Sequence, residues 1–373
     1  MKKICFEFLT VCLVVVPLYS CNQIGQETNE VLTVQATVID IEKYGHAVLD
    51  ITTEYFMKCG YDLGDVVSIS FSDYEYIMPF YDGYYSNPGN LLLRGTKPES
   101  YIAVCINYGD FCVENNITLG DSAKIKMVEK EGMRAIQELY SLQYSNNPKD
   151  YSDIVTFTNF RAITAGRIGE GKLYRTSSPI NNENGRADYS DDFIESVGVA
   201  TVLNLSDSYE DVEKYLKDTS CDSNYYRELY ESGSVIAVDL TGNFYSEEFA
   251  SSIAEGFTFL ENNIAPYCIH CTEGKDRTGF AAMLLEALMG ATLDEIINDY
   301  MLTFYNYYGI DKEREPERYR AVLNVNLMAM LCHVSGVSVE KLKQTDLEAA
   351  ATTYLLKAGM TNEDVLKLKQ ALE

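Results

Sequence analysis

The sequence predicts an α/β domain over residues 150–373, a mostly parallel sheet flanked by helices, behind a small all-β module over 31–127 and a leader over 1–21. Three observations carry this prediction. Beyond residue 150, apolar strand-like runs alternate with helical ones, which implies a parallel sheet covered by helices. Residues 31–127 instead repeat a period of two, the mark of half-buried strands. The opening joins Lys2 and Lys3 to an apolar run from Phe8 to Leu18, the pattern of a secretory signal peptide.

The leader ends in Leu18-Tyr19-Ser20-Cys21, where small or hydroxylated residues lead to a cysteine. This ending resembles a bacterial lipobox, which implies lipidation at Cys21. The expected product is exported, either as a cell-surface lipoprotein attached to the membrane through that lipid or in secreted form. An uncleaved anchor is the alternative, but spanning a bilayer takes ~20 apolar residues.

Composition narrows the function classes. Thirty Lys+Arg against 56 Asp+Glu leave a formal charge of −26, which excludes a partner gripped through its phosphate backbone, because nucleic-acid affinity comes largely from cationic neutralisation. The 29 tyrosines and 15 phenylalanines among apolar runs indicate packed cores rather than disorder. Beyond the leader the cysteines are Cys59, Cys105, Cys112, Cys221, Cys268, Cys271 and Cys332, an odd set with neither disulfide-framework nor zinc spacing. His46, His270 and His333 make no helical metal-ligand pair. No metal or other cofactor is expected.

In the β module, Leu32–Asp40 and Ala47–Ile51 alternate apolar and polar residues. Leu63-Gly64-Asp65 leads into Val66–Ile69, and Leu119-Gly120-Asp121 into Ser122–Ile125, so two similar units packed as a small barrel or sandwich are expected. Ile41–Leu49 and the later Gly-Asp segment resemble the β-barrel half of bacterial S-adenosylmethionine hydroxide adenosyltransferases. The matching positions are turn and core residues, so only a binding or spacer module is expected. Met133, Ile136, Leu139 and Leu142 predict a helix over 129–142, and Ser145–Pro148 breaks it. Helix and linker occupy 128–149.

Past the linker, Val199–Leu205, Val235–Leu240 and Tyr267–His270 read as strands, and Glu247–Leu260, Thr278–Met289 and Leu293–Leu302 as helices. Between the third strand and the second helix lies His270-Cys271-Thr272-Glu273-Gly274-Lys275-Asp276-Arg277-Thr278-Gly279. A loop opening a helix turns several backbone N–H groups, and the positive end of the helix dipole, onto one spot that suits a dianionic phosphate. Arg277 can fork onto two phosphate oxygens. Cys271 supplies a nucleophile in the same field.

This string closely resembles the loop of the Cys-x5-Arg protein tyrosine phosphatase superfamily, within it the bacterial tyrosine/lipid phosphatases that read His-Cys-x-x-Gly-Lys-Asp-Arg-Thr-Gly. Asn159-Phe160-Arg161, Gly171–Ser178, Ile296–Thr303 and the closing segment from Tyr354 to Leu372 resemble further parts of that family over about residues 150–373. The family's Asn-Phe-Arg usually continues Asp-Leu-Gly, whereas this chain has Ala162-Ile163-Thr164.

The resemblance implies metal-independent hydrolysis of phosphomonoesters through a phosphocysteine on Cys271, with Arg277 binding the phosphate. The expected substrates are phosphotyrosine or phosphoserine/threonine proteins, or phosphoinositides and inositol phosphates. Thr272, Glu273, Gly274, Lys275 and Asp276 would line the phosphate through their backbone. His270 would orient the loop, Thr278 would donate to the departing sulfur, and Gly279 would let the helix approach closely. Lys275 adds a rim cation, as in relatives that accept phosphoinositides.

Two residues compete as general acid. Asp239, 32 residues before Cys271, has the spacing of the mobile acid loop of dual-specificity phosphatases; otherwise it caps a strand. Asp276 sits inside the loop, where the lipid-phosphatase-like relatives place such an acid; otherwise it anchors the loop. Its neighbour Arg277 and the helix start are expected to favour its carboxylate. Cys268 reads as a buried strand residue, with a resolving thiol for Cys271 as the alternative. Asp311–Arg320 reads as a solvated helix start. The rival functions are a phosphate-binding pseudophosphatase at the cell surface, and sulfur transfer or arsenate reduction, against which the Asp-Arg-Thr-Gly ending argues.

Overall fold

The computed structural model describes residues 33–373 apart from 73, 87, 88, 219 and 241; the expected leader and Cys21 lie outside them. Among the described residues no helix is long and apolar enough to cross a membrane.

The first unit is a closed barrel. Its strands are β1 (Thr33–Ile41), β2 (Ala47–Thr52), β3 (Val66–Phe71), β4 (Tyr74–Tyr81), β5 (Leu91–Arg94), β6 (Tyr101–Ile106) and β7 (Ser122–Glu129). They close in the order β1-β2-β6-β5-β4-β3-β7, antiparallel except for β4 beside β5. Closure removes both sheet edges, and the inward residues of the alternating runs, among them Val38, Leu49, Ile69, Phe80 and Val104, fill the interior. The two Gly-Asp segments make the same turn. Asp65 accepts from the Asp62 amide at 2.6 Å and Asp121 from the Thr118 amide at 2.7 Å, with Gly64 and Gly120 at φ +93° and +89°. Each turn starts a strand, and the two strands, β3 and β7, lie side by side.

The helix expected over 129–142 is shorter, Arg134–Tyr140. Strand β7 runs on to Glu129, and Asp65 then captures the chain by accepting from the Glu131 amide at 2.7 Å and from Lys130 Nζ at 3.0 Å. This helix packs against Pro316–Val322, and Arg318, from the charged segment read as solvated, pairs with Glu138 at 2.7 Å.

The second unit holds β8 (Arg161–Ile163), β9 (Leu173–Thr176), β10 (Thr201–Asn204), β11 (Val235–Ala237) and β12 (Tyr267–His270), in the order β11-β10-β12-β9-β8. All neighbours are parallel except the edge strand β8. Strand β12 is therefore central, and every residue in it is buried. The helix Asp276–Leu288 that follows is buried all along from Thr278, which accounts for its lack of an amphipathic pattern. Successive residues of β12 face opposite layers: Cys268 packs with Val202 and Tyr226, while Ile269 and Cys271 pack with Phe280 and Leu284.

Candidate active site

The string from His270 to Gly279 leaves the end of β12 and turns into the helix Asp276–Leu288. Gly274 makes the turn at φ +64°, and a Cβ there would stand 2.3 Å from the Thr176 carbonyl oxygen. Only glycine fits, both for the backbone angle and for the space. Among the described residues, none of the amide N–H groups from Thr272 to Thr278 has a protein acceptor; the first helical bond is Gly279 N–H to Lys275 O at 2.8 Å. These free donors, converging at a helix start, form an anion cradle.

The loop is braced from below through its carbonyls. Asn159 Nδ2 donates to Gly274 O at 3.0 Å, and Arg175 Nη2 to the same oxygen at 2.9 Å. Asp299 holds both arginines of this layer, accepting from Arg161 Nε at 2.6 Å and from Arg175 Nη1 at 2.5 Å. Burial works against the Asp299 charge, but the two guanidinium groups outweigh it and hold the carboxyl down to about 2. Glu286, in the same layer, is instead raised well above the ordinary range by burial, helped by the Asp299 charge. Residue 162 is alanine, and the bracing carboxylate of this layer is Asp299 on the helix Leu293–Tyr308.

Cys271 is 2% exposed at the base of the cradle. The Thr278 hydroxyl, also buried, has no hydrogen-bond partner among the described residues. His270 is fully buried against Tyr226, with ring centroids 5.8 Å apart, and burial pushes it down to about 3, a neutral ring unsuited to supplying protons. Arg277 ties three loops together. Its guanidinium donates to Leu240 O at 3.1 Å, Ser206 O at 3.4 Å and Thr272 Oγ1 at 3.3 Å. Gly279 sits where a Cβ would come within 2.8 Å of the Tyr300 ring.

Of the two acid candidates, Asp276 opens the helix and Asp239 is one residue from a contact with Arg277. Asp276 is 49% exposed, with Oδ2 at 3.6 Å from Lys275 Nζ. Crowding by the surrounding protein raises its pKa, the Glu273 charge adds to this, and Lys275 and Arg277 oppose it. The net direction is opposite to that expected from Arg277 and the helix start alone. Asp239 is exposed, has φ +43°, and immediately precedes Leu240, whose carbonyl receives Arg277. Its own amide donates to Asp207 O at 3.2 Å.

Lys275 is not a free rim cation. Its Nζ lies 2.8 Å from Glu273 Oε2 and donates to Tyr308 Oη at 3.1 Å. Cys268 and Cys271 are both free thiols on opposite sides of β12, so a disulfide between them would require the strand to come apart. The bracing residues Asn159, Arg175 and Asp299 lie inside the segments that carry the family resemblance, which assigns them no role. The signal that marks them is a set of charged and amide residues in otherwise buried segments. Tyr144 and Tyr307, which also reach the loop, carry no such signal.

Comparison with known proteins finds partial matches to this chain. A protein of Cupriavidus necator, named a putative tyrosine-protein phosphatase, is 40% identical over 67 residues, 17% of this chain and 23% of that one. The chain thus spans about a quarter of the length of the curated relative it matches. The crystal structure of an uncharacterized conserved protein from Thermotoga maritima aligns with 30% of this chain and 42% of its own, at 20% identity and a TM-score of 0.24. Residues 153–373, more than half of the chain, match the profile of the tyrosine phosphatase family, and the chain belongs to that family.

Proposed function

We propose that this chain hydrolyses phosphomonoesters without a metal, through a phosphocysteine intermediate. The observation that carries this reading is the set of unaccepted amides from Thr272 to Thr278, arranged between a buried Cys271 and the Arg277 guanidinium. In the first step the Cys271 sulfur attacks phosphorus and the ester oxygen leaves, taking a proton from an aspartic acid. In the second, water gives a proton to the aspartate left by the first step and displaces the sulfur from phosphorus, and the unpartnered Thr278 hydroxyl supplies a hydrogen bond to that sulfur. Splitting one displacement in two replaces a high barrier with two lower ones. The amides and Arg277 stabilise charge on the equatorial oxygens throughout. We assign the proton to Asp276, whose raised pKa suits a donor and which needs no loop closure to be in place.

Turnover of an aryl phosphate in excess chelator tests the reading. Wild type is expected to be unaffected by chelation, Cys271→Ser to lose turnover while still binding an oxyanion such as vanadate, and Arg277→Lys to be severely impaired, because a point charge cannot replace the planar fork. A metal requirement, or full activity in Cys271→Ser, overturns it. Oxyanion binding without any turnover by wild type would favour the pseudophosphatase. The substrate is a phosphorylated protein or a lipid or inositol phosphate. Attachment to the membrane through Cys21 is part of the same proposal; Cys21→Ala should then move the protein to the soluble fraction.

A further inference from the structure

Lys275 is the loop's second cation, and its partners leave it little freedom. Its side chain is 16% exposed, with Glu273 Oε2 at 2.8 Å, Tyr308 Oη at 3.1 Å and Asp276 Oδ2 at 3.6 Å. Burial opposes its charge, but Asp276 and Glu273 outweigh that and hold it firmly as an ammonium. Glu273 is fixed in turn, because its other oxygen accepts from Tyr144 Oη at 2.6 Å. Glu273 thus cancels the charge of Lys275, whichever state Asp276, the assigned proton donor, is in. One phosphate can still use the amides and Arg277, but a second phosphate on a neighbouring carbon meets the Glu273 carboxylate and a lysine already engaged.

Tyr144 reaches this loop from the linker between the barrel and the catalytic unit, and it is held there. Arg186, 1% exposed, donates to Ser145 O at 3.1 Å, Asn146 Oδ1 at 2.8 Å and Phe157 O at 2.9 Å. Its guanidinium lies 5.0 Å from the centre of the Tyr144 ring. The Tyr144 ring also stacks on Tyr307, with centroids 5.1 Å apart, and Tyr307 Oη donates to Glu273 O at 2.6 Å. A buried guanidinium with this many acceptors leaves the linker one arrangement, and the Tyr144 hydroxyl one target.

We propose that Tyr144 is a specificity-determining residue: by pinning Glu273 on Lys275 it engages the cation that a second, adjacent phosphate needs, and so biases the site toward substrates carrying a single phosphate. The proposal rests on the phosphatase reading above. The formal charge of −26 acts in the same direction at long range, but salt screens that field, whereas the Glu273–Lys275 ion pair acts inside the site.

The test compares the full chain with Tyr144→Phe, Glu273→Gln and the double variant Glu273→Gln/Lys275→Ala. The substrates are a singly phosphorylated phosphotyrosine peptide and a soluble short-chain phosphatidylinositol 4,5-bisphosphate, at fixed ionic strength. The readout is the ratio of kcat/KM for the bisphosphate over the peptide. It is expected to rise about tenfold in Glu273→Gln, the effect of one additional charge-assisted hydrogen bond to the second phosphate, to rise less in Tyr144→Phe, and to fall back in the double variant. An unchanged ratio in both single variants, or a rise that survives removal of Lys275, overturns the proposal. Affinities for the same two ligands in a Cys271→Ser background give the ratio without turnover. If wild type turns over neither substrate nor an aryl phosphate, the phosphatase reading fails, and the affinity ratio still decides the role of Tyr144.

Discussion

Arg175, fully buried, donates to the carbonyl oxygen of Gly274 at 2.9 Å. This bond occupies a carbonyl of the loop from the protein interior, while the amides from Thr272 to Thr278 keep no protein acceptor among the described residues. The arginine survives burial because Asp299 neutralises it from the far side.

Removing that counter-charge should therefore damage both stability and binding. Asp299→Asn leaves Arg161 and Arg175 buried without a carboxylate, a loss of about 3–5 kcal/mol when one member of a buried pair is removed. The Asp299 carboxyl is held down to about 2 from an ordinary 3.8. Its stabilisation is therefore fully present above the ordinary value and is lost as pH falls from there toward 2. Denaturation curves at several pH values should show wild type losing stability across that acid window and Asp299→Asn changing less. Parallel acid sensitivity in the two proteins would show that the pair contributes nothing.

Glu286 titrates in the opposite sense. Burial raises it well above 4.5, so the folded protein holds a proton that the unfolded chain releases. Stability should fall as pH rises from the ordinary carboxylate value toward the folded one. Glu286→Gln keeps the shape and removes the titration. It is expected to match wild type near pH 4.5 and to be more stable at neutral and mildly alkaline pH, measured by thermal melts. A variant less stable than wild type under those alkaline conditions would mean that Glu286 is ionised and paired in the native state.

Gly274→Ala tests the turn itself. The substitution forces a Cβ to 2.3 Å from Thr176 O at φ +64°, so the loop must shift. A misplacement of about 1 Å near the reacting centre can cost about 100-fold in rate. Turnover should fall by that order while the far-ultraviolet spectrum is retained, because the distortion is confined to one loop. Near-normal kcat in this variant would mean that the loop geometry is not what positions the phosphate.

The string from His270 to Gly279 is legible in the sequence because it is contiguous: strand, loop and helix start follow one another without a break. Its support is not, because the residues that touch are far apart along the chain. Arg175 and Asp299 are separated by 124 residues, and Tyr144 and Glu273 by 129. Periodicity cannot pair such positions. Strands such as β1 and β12 are legible from their apolar runs, whereas β6 and β9, also largely buried, are not singled out by theirs. The barrel's closure is not, since it depends on β1 pairing with β7 at the far end of the module. The helix before the linker is shorter than its apolar pattern predicts, because the capture of Glu131 by Asp65 leaves no trace in that pattern.

The identity of the general acid is the sharpest prediction. Asp276 is fixed at the helix start, half exposed, with its proton retained to higher pH by crowding and by Glu273. A bound phosphate dianion would push it further in that direction, since a nearby like charge disfavours ionisation. Asp239 is one residue from the carbonyl that receives Arg277, and it is exposed to solvent. Asn substitution at the true acid removes proton transfer to the leaving oxygen, a contribution of about 100- to 10,000-fold. The loss should be large for alkyl phosphates, whose leaving groups are poor, and small for an activated aryl ester. It should also flatten the alkaline limb of the pH–rate profile, where wild type loses activity as the acid deprotonates. We expect Asp276→Asn to show both signatures and Asp239→Asn neither. The reverse result would assign the proton to Asp239 and leave Asp276 to hold Lys275 and the loop in place.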